Sequence, residues 1–300
     1  MTTPGTVPPS LYKSPHAARS IREGYAALLR EWPVPYRHHH IPTSQGDTFA
    51  VECGSEDGPP LLLIHGSVSN AAAWMGDVPL WAPHFHIYAV DVIGEAGFSA
   101  PCRPPLKSDA YARWLDDVMD GLGLEAASLA GISLGGWLAL DFAIRRPSRV
   151  SNLVVIVPGG VGPQRNILYW AVPLSLLGRW GRSRVHHLLL GPPPAETTDT
   201  IRRFSELWEA ISQQFRPRYD KLPIFSDAQL TGLPMPVMAV VAGKDVMLAP
   251  GPMRRRLEAH VPDLEMHYLP DARHYPGSQA ERVLEFLRRR SQPDAGAARA

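Results

Sequence analysis

Short apolar runs recur along the chain, each closed by a turn and followed by a stretch with helical spacing. Leu61–Ile64 is such a run, ending at His65-Gly66, and Ile87–Val92 is the next, closed around Asp91 and Gly94. Tyr111–Leu122 has the spacing of an amphipathic helix, with Ser108 or Asp109 available as its cap. Ala126–Ala130 reads as a third strand, Leu134–Arg145 as a helix, and Val150–Val157 as a fourth strand halted by Pro158-Gly159-Gly160. Val237–Ala242 and Leu264–Leu269 are the fifth and sixth strands, and Glu281–Arg290 is a last helix. Upstream, Leu11–Glu31 places Ile21, Tyr25, Leu28 and Leu29 on one helical face, and the prolines of Trp32-Pro33-Val34-Pro35-Tyr36 end it. Strands apolar on both faces, alternating with helices, predict an α/β architecture: a mostly parallel sheet flanked by helices.

One region breaks the rhythm. Between about Val161 and Gly232 the strand signal stops, while Trp170, Trp180, Phe204, Trp208 and Phe215 gather in helical settings around a proline turn at 192–194. This predicts a core built from residues 1–160 and 232–300, with a helical cap over 161–231 inserted between two core strands. The two ends, 1–10 and 291–300, are rich in Pro, Thr, Ser and small residues and read as loose.

Composition narrows the function. With 300 residues, 45% of them hydrophobic, the chain can bury a large core. Lys+Arg total 30 against 29 Asp+Glu, so the overall balance favours neither nucleic acid nor an anionic membrane surface. The arginine runs 254–256 and 288–290 read as solvated helix faces. Two cysteines, Cys53 and Cys102, make no disulfide framework. The first ten residues lack the basic and apolar regions of a secretory signal, and no apolar stretch is long enough to span a bilayer. A cytoplasmic protein without a membrane span is expected, with monomer and homodimer both open.

The chemistry centres on Gly131-Ile132-Ser133-Leu134-Gly135-Gly136, which fits G-x-S-x-G between a strand and a helix. Glycines are needed there for steric reasons, since a serine on so sharp a turn leaves no room for side chains at 131 and 135. A chance Gly-Ser-Gly turn is the bland reading, and the flanking strand and helix argue against it. A serine nucleophile needs a base. His274, in Pro270-Asp271-Ala272-Arg273-His274, follows the last strand and so falls at the same sheet edge as Ser133. The other histidines sit in less suitable places. His65 belongs to a His-Gly turn, His38–His40 to an N-terminal strand region, His84 and His86 to the start of a strand, and His186 and His187 to the insertion. The base needs a carboxylate to fix its tautomer. Asp245 follows strand Val237–Ala242, and the order Ser133…Asp245…His274 is that of the α/β-hydrolase fold. Asp271 competes through nearness in sequence alone. The backbone amides of Ser67 and Leu134 are the expected oxyanion hole, with Val68 as the alternative register. Neither a metal-ligand motif nor a phosphate-binding glycine loop is present, so no metal or cofactor is expected.

Together, Trp32-Pro33-Val34-Pro35-Tyr36, Pro59-Pro60-Leu61-Leu62-Leu63-Ile64-His65-Gly66, Asp91-Val92-Ile93-Gly94-Glu95, Gly131–Trp137 and Phe225-Ser226-Asp227-Ala228-Gln229-Leu230 carry a resemblance. The chain resembles bacterial carboxylesterases of the naproxen-esterase type within the α/β-hydrolase superfamily. The resemblance implies a cofactor-free serine hydrolase of carboxylic esters. It places the triad on Ser133, Asp245 and His274 and the oxyanion hole on Ser67 and Leu134. The expected partner is a small hydrophobic ester, in keeping with the aromatic, Leu-rich insertion. Lactonase, thioesterase, amidase or acyltransferase chemistry is open to the same triad, as is a ligand-binding receptor on the same fold. A dehalogenase or epoxide hydrolase would carry Asp where Ser133 stands.

Overall fold

A computed structural model describes residues 11–191 and 199–291. The expectations for 1–10, for the proline turn at 192–194 and for 292–300 lie outside the described residues. Helix α1 (Pro15–Leu29) begins where the Ser14 side chain accepts the amide of Ala17, with proline at the first helical position. It is followed by β1 (Tyr36–Ile41), β2 (Thr48–Gly54), β3 (Pro60–Ile64), a 3₁₀ turn at Ala71–Trp74, α2 (Val78–Trp81), β4 (His86–Val90) and α3 (Ala110–Gly121). Next come β5 (Ala127–Ile132), α4 (Leu134–Arg145) and β6 (Val150–Ile156). Four helices then follow, with no strand between them among the described residues: α5 (Leu168–Leu176), α6 (Gly178–Leu190), α7 (Asp199–Gln214) and α8 (Asp227–Thr231). The chain closes with β7 (Val237–Ala242), α9 (Pro250–His260), β8 (Leu264–Leu269) and α10 (Ala280–Ser291).

The chain divides into two compact units, residues 1–125 with 196–220, and residues 126–195 with 221–300. The helical insertion is therefore shared, with α7 in the first unit and α5, α6 and α8 in the second.

In the first unit the strands run in the order β1-β2-β4-β3, with β1/β2 and β2/β4 antiparallel and β3/β4 parallel. Strand β2 has no counterpart in the hydrophobic pattern because polar residues interrupt it. Thr48 accepts from the Trp114 indole at 2.7 Å, and Glu52 gathers Arg37, His39 and His86. Helix α7 lies along α1, with Leu207 and Ile211 buried. Tyr12 meets Phe215 edge-on at 5.3 Å, and two backbone bonds tie 11–13 to 214–216.

Asp91 is the polar centre of this unit. It is fully buried, and its carboxylate accepts the Tyr25 hydroxyl (2.9 Å) and the amides of Ala71 (2.8 Å) and Phe98 (2.7 Å). Its carbonyl also accepts the Ser99 hydroxyl at 2.6 Å. One side chain thus joins α1, the 3₁₀ turn and the loop after β4. Burial pushes its pKa up to about 6, against the pull of those donors and of Arg22.

In the second unit β5-β6-β7-β8 are all parallel. Every residue of β7 is buried, and α4 is buried from Leu134 to Ala143, so neither shows a polar face in sequence. Helix α10 buries Val283, Phe286 and Leu287 and leaves Arg288–Arg290 exposed, as a solvated face should. Arg256 departs from that expectation. Its guanidinium donates to the carbonyls of Val161 (2.5 Å) and Phe225 (2.6 Å) and pairs with Asp227. It thereby clasps the two ends of the helical insertion. No described helix is long and apolar enough to cross a membrane.

Removing the Asp91 carboxylate would leave two buried donors, the Tyr25 hydroxyl and the Ala71 amide, and the half-buried Phe98 amide without their acceptor. Asp91→Ala should cost about 3–4 kcal/mol, and Tyr25→Phe about 1–2 kcal/mol, read as lowered urea midpoints at unchanged slope.

Candidate active site

The nucleophile candidate sits where β5 turns into α4. Ser133 has φ 54° and ψ −107°, a conformation that side chains rarely adopt. The turn is tight because strand and helix meet with no intervening loop. A Cβ on Gly131 would strike the Gly135 carbonyl and lie 2.7 Å from the Gly136 amide, so only glycine fits. Hydrogen bonds hold the strained residue from both sides. Its N–H donates to Ile156 O at 3.0 Å, and its carbonyl accepts Trp137 N (3.0 Å) and Gly159 N (3.2 Å). The Leu134 amide opens α4 and is one of the four that no intrahelical carbonyl can satisfy.

The structure brings the three predicted side chains together. His274 Nε2 lies 3.0 Å from Ser133 Oγ, and Nδ1 lies 2.7 Å from Asp245 Oδ2. Asp245 is buried, and its other oxygen accepts the amides of Met247 (2.7 Å) and Leu248 (3.0 Å), which fixes the carboxylate plane. The Arg165 guanidinium donates to Asp245 O at 3.2 Å. The amide of His274 donates to Leu189 O at 3.2 Å, and the neighbouring Arg273 guanidinium donates to Leu188 O at 3.0 Å, so α6 anchors the loop carrying the ring. Asp271 takes a different place, with its exposed carboxylate paired to Lys244 at 2.6 Å and its pKa lowered by that contact.

In the other unit, His65 is fully buried, with Nδ1 2.7 Å from Gly66 O and Nε2 accepting the Val92 amide at 2.9 Å. Burial holds its pKa down at about 4, so it stays a neutral brace of its turn. Ser67 is exposed in that turn. Val68, the alternative register, has φ 59°, and its amide is already taken by Glu95 Oε2 at 2.7 Å. Glu95 is buried, and desolvation pushes its pKa up to about 7 against the Val68 amide, Arg103 and Arg218.

Sequence reasoning missed several supports. A methyl group of Leu222 fills the space that a Cβ on Gly159 would need, and Gly159 is the residue whose amide binds the Ser133 carbonyl. Trp137 donates its indole N–H to Pro223 O at 2.9 Å and stacks on Phe225 at 5.7 Å. Both contacts join chain segments far apart in sequence, and neither leaves a local signal. Glu95 had one, as the acid closing Asp91-Val92-Ile93-Gly94-Glu95. Among the described residues no group of three or more His, Cys, Asp or Glu is placed to hold a metal ion.

The chain matches the alpha/beta hydrolase family over residues 61–286, and it belongs to that family. Among individual relatives, the uncharacterized carboxylesterase nap from Bacillus subtilis is 28% identical over 271 residues, 88% of this chain and 90% of its own length. Carboxylesterase YbfK from the same organism is also 28% identical, over 88% of this chain and 92% of its own length. The crystal structure of naproxen esterase (carboxylesterase NP) from Bacillus subtilis superposes with a TM-score of 0.76 at 27% identity. It covers 89% of this chain and 95% of that one.

The buried Glu95 gives a pH signature. Its folded pKa, about 7, lies above the ordinary 4.5, so the folded state holds the proton more tightly. The stability this contributes is complete below about pH 4.5 and is lost as pH rises through 7. Glu95→Gln keeps an acceptor for Val68 and cannot ionise. The melting temperature of the variant relative to the wild type should rise steadily from pH 5 to pH 8. A flat difference would place Glu95 in a solvated setting.

Proposed function

We propose that this protein is a serine carboxylesterase working through an acyl-enzyme on a hydrophobic small-molecule ester. The observation that carries the reading is the continuous hydrogen-bonded line Ser133–His274–Asp245 at the strained turn. The carboxylesterase relatives, which match nearly the whole chain, support the ester as the bond attacked. Ser133 Oγ attacks the ester carbonyl while His274 Nε2 removes its proton. Asp245 keeps the Nδ1 tautomer and stabilises the imidazolium. The Leu134 amide receives the developing oxyanion, with Ser67 as the second donor inferred from sequence. His274 then protonates the departing alcohol and activates water to release the acid.

The helical insertion sets specificity in this reading. Leu222, pressed on Gly159 next to the nucleophile, is the first wall of the acyl site. Trp180 stands 66% exposed, which argues against a wall role, while Trp170, in the same unit as Ser133, is half-buried.

A panel of p-nitrophenyl esters of graded acyl length, with lactones, thioesters and amides alongside, tests the class of substrate. Ser133→Ala should lower ester turnover by roughly 10⁴–10⁶ and abolish fluorophosphonate labelling. Asp245→Asn should lower kcat by about 10²–10⁴, and Asp271→Asn by less than about tenfold. Retention of a tenth of the activity in Ser133→Ala would sink the reading. Leu222→Ala should shift the ratio of kcat/KM between long and short acyl esters by about 1–3 kcal/mol. An unchanged ratio would take Leu222 out of the acyl site.

A further inference from the structure

The corner between α5 and α6 exposes more apolar surface than a solvated helix pair has use for. Tyr169, Val172 and Leu176 follow the three- and four-residue spacing of one helical face, and all are exposed, Tyr169 and Leu176 at 82%. Leu177 and Trp180 continue the patch around the turn into α6, both more than half exposed. Large side chains of this kind gathered in one place mark an interaction surface, whereas single exposed ones do not.

Charge identifies the partner. The chain as a whole is nearly balanced, with 30 basic and 29 acidic residues. From Val161 to Gly191 it carries Arg165, Arg179, Arg182 and Arg184 and neither Asp nor Glu. Arg179 and Arg184 are exposed beside the apolar positions in sequence. An exposed aromatic and aliphatic corner flanked in sequence by exposed arginines is the pattern that lies in a bilayer interface, where apolar groups enter the acyl boundary and guanidinium groups meet anionic headgroups. A second copy of the chain fits less well. A twofold contact through this face would set these arginines against their own symmetry mates, and residues 161–191 bring no acid to offset them.

We propose that the α5–α6 corner docks on the surface of an anionic phospholipid bilayer. The face acts as a peripheral contact, with nothing inserted across the membrane. Its inner end, at Leu188 and Leu189, holds the loop that carries His274, so docking sets the reactive loop near a reservoir of apolar compounds.

The test is co-sedimentation of the full chain with vesicles of ether-linked phosphatidylglycerol, which no esterase can cleave, beside ether-linked phosphatidylcholine. Binding to the anionic vesicles should be at least tenfold tighter and should fall sharply in 0.5 M salt. The double variant Leu176→Asp/Trp180→Asp and the double variant Arg179→Glu/Arg184→Glu should each weaken it at least tenfold. Turnover of a water-soluble ester should stay within twofold of wild type in both, which separates docking from the catalytic reading. Because all four positions are exposed, the variants should keep the wild-type melting temperature, and the charge variant alone decides if the apolar one does not fold. Equal binding to the two vesicle types, or binding unaffected by the charge variant, overturns the proposal. So does a concentration-dependent dimer, seen by sedimentation velocity, that Leu176→Asp/Trp180→Asp abolishes. That result would assign the face to a second copy.

Discussion

The positive φ of Ser133 is the constraint on which the rest of the site depends. A serine in relaxed geometry would continue either the strand or the helix, and its hydroxyl would face a neighbouring strand or the helix's own next turn. At φ 54° the backbone folds sharply enough that Oγ stands clear and meets His274 Nε2. Such a conformation costs about 1–3 kcal/mol and persists only where its surroundings over-determine it. Here three backbone hydrogen bonds, to Ile156, Trp137 and Gly159, grip the residue from β6, α4 and the loop after β6. The steric demand on Gly131 is the other half of the same bargain between strand and helix.

Parallel pairing accounts for the remaining two members of the site. Strands β5, β7 and β8 run in one direction, so their C-terminal ends share one edge. Ser133 follows β5, Asp245 follows β7 and His274 follows β8. Three residues spread over 141 positions of chain are thus collected by topology alone. Local hydrogen bonding then does the aiming, with the Met247 and Leu248 amides on one oxygen of Asp245 and the imidazole on the other. Asp271, three residues from the ring in sequence, faces solvent and Lys244 instead. Closeness along the chain gives no direction to a side chain. Position at a strand end does.

Much of this was legible beforehand for physical reasons. A fully buried parallel strand reads as a plain apolar run, which makes β7 visible to the residue, whereas β8 is only half-buried and carries Glu265 and His267 among its apolar positions; the glycine-flanked serine marks the turn into α4. Strand β2 was not visible because Thr48 and Glu52 meet their partners, Trp114, Arg37, His39 and His86, only after folding. The same holds for Arg256, which read as one more solvated arginine and instead joins Val161 to Phe225. Leu222 and Trp137 escape for the reverse reason, since any apolar residue suits a hydrophobic pattern and only the fold says which one supports the turn at Ser133. The described helices between β6 and β7 divide between the two compact units because α7 packs along α1, which has no counterpart in composition.

The bond from the His274 amide to Leu189 O bears on how such proteins diversify. Insertions between two core strands are the natural place for lineages to exchange segments, because the sheet tolerates replacement of whatever lies between its strands. In this chain the helical segment between β6 and β7 also supplies a backbone acceptor to the loop that carries His274. A transplanted cap of unrelated sequence would preserve that acceptor as long as its helix ended at the same height, since carbonyls carry no sequence. A cap one turn shorter would leave the loop without its anchor. Recombination at this site is therefore permissive in side chains and strict in helix length.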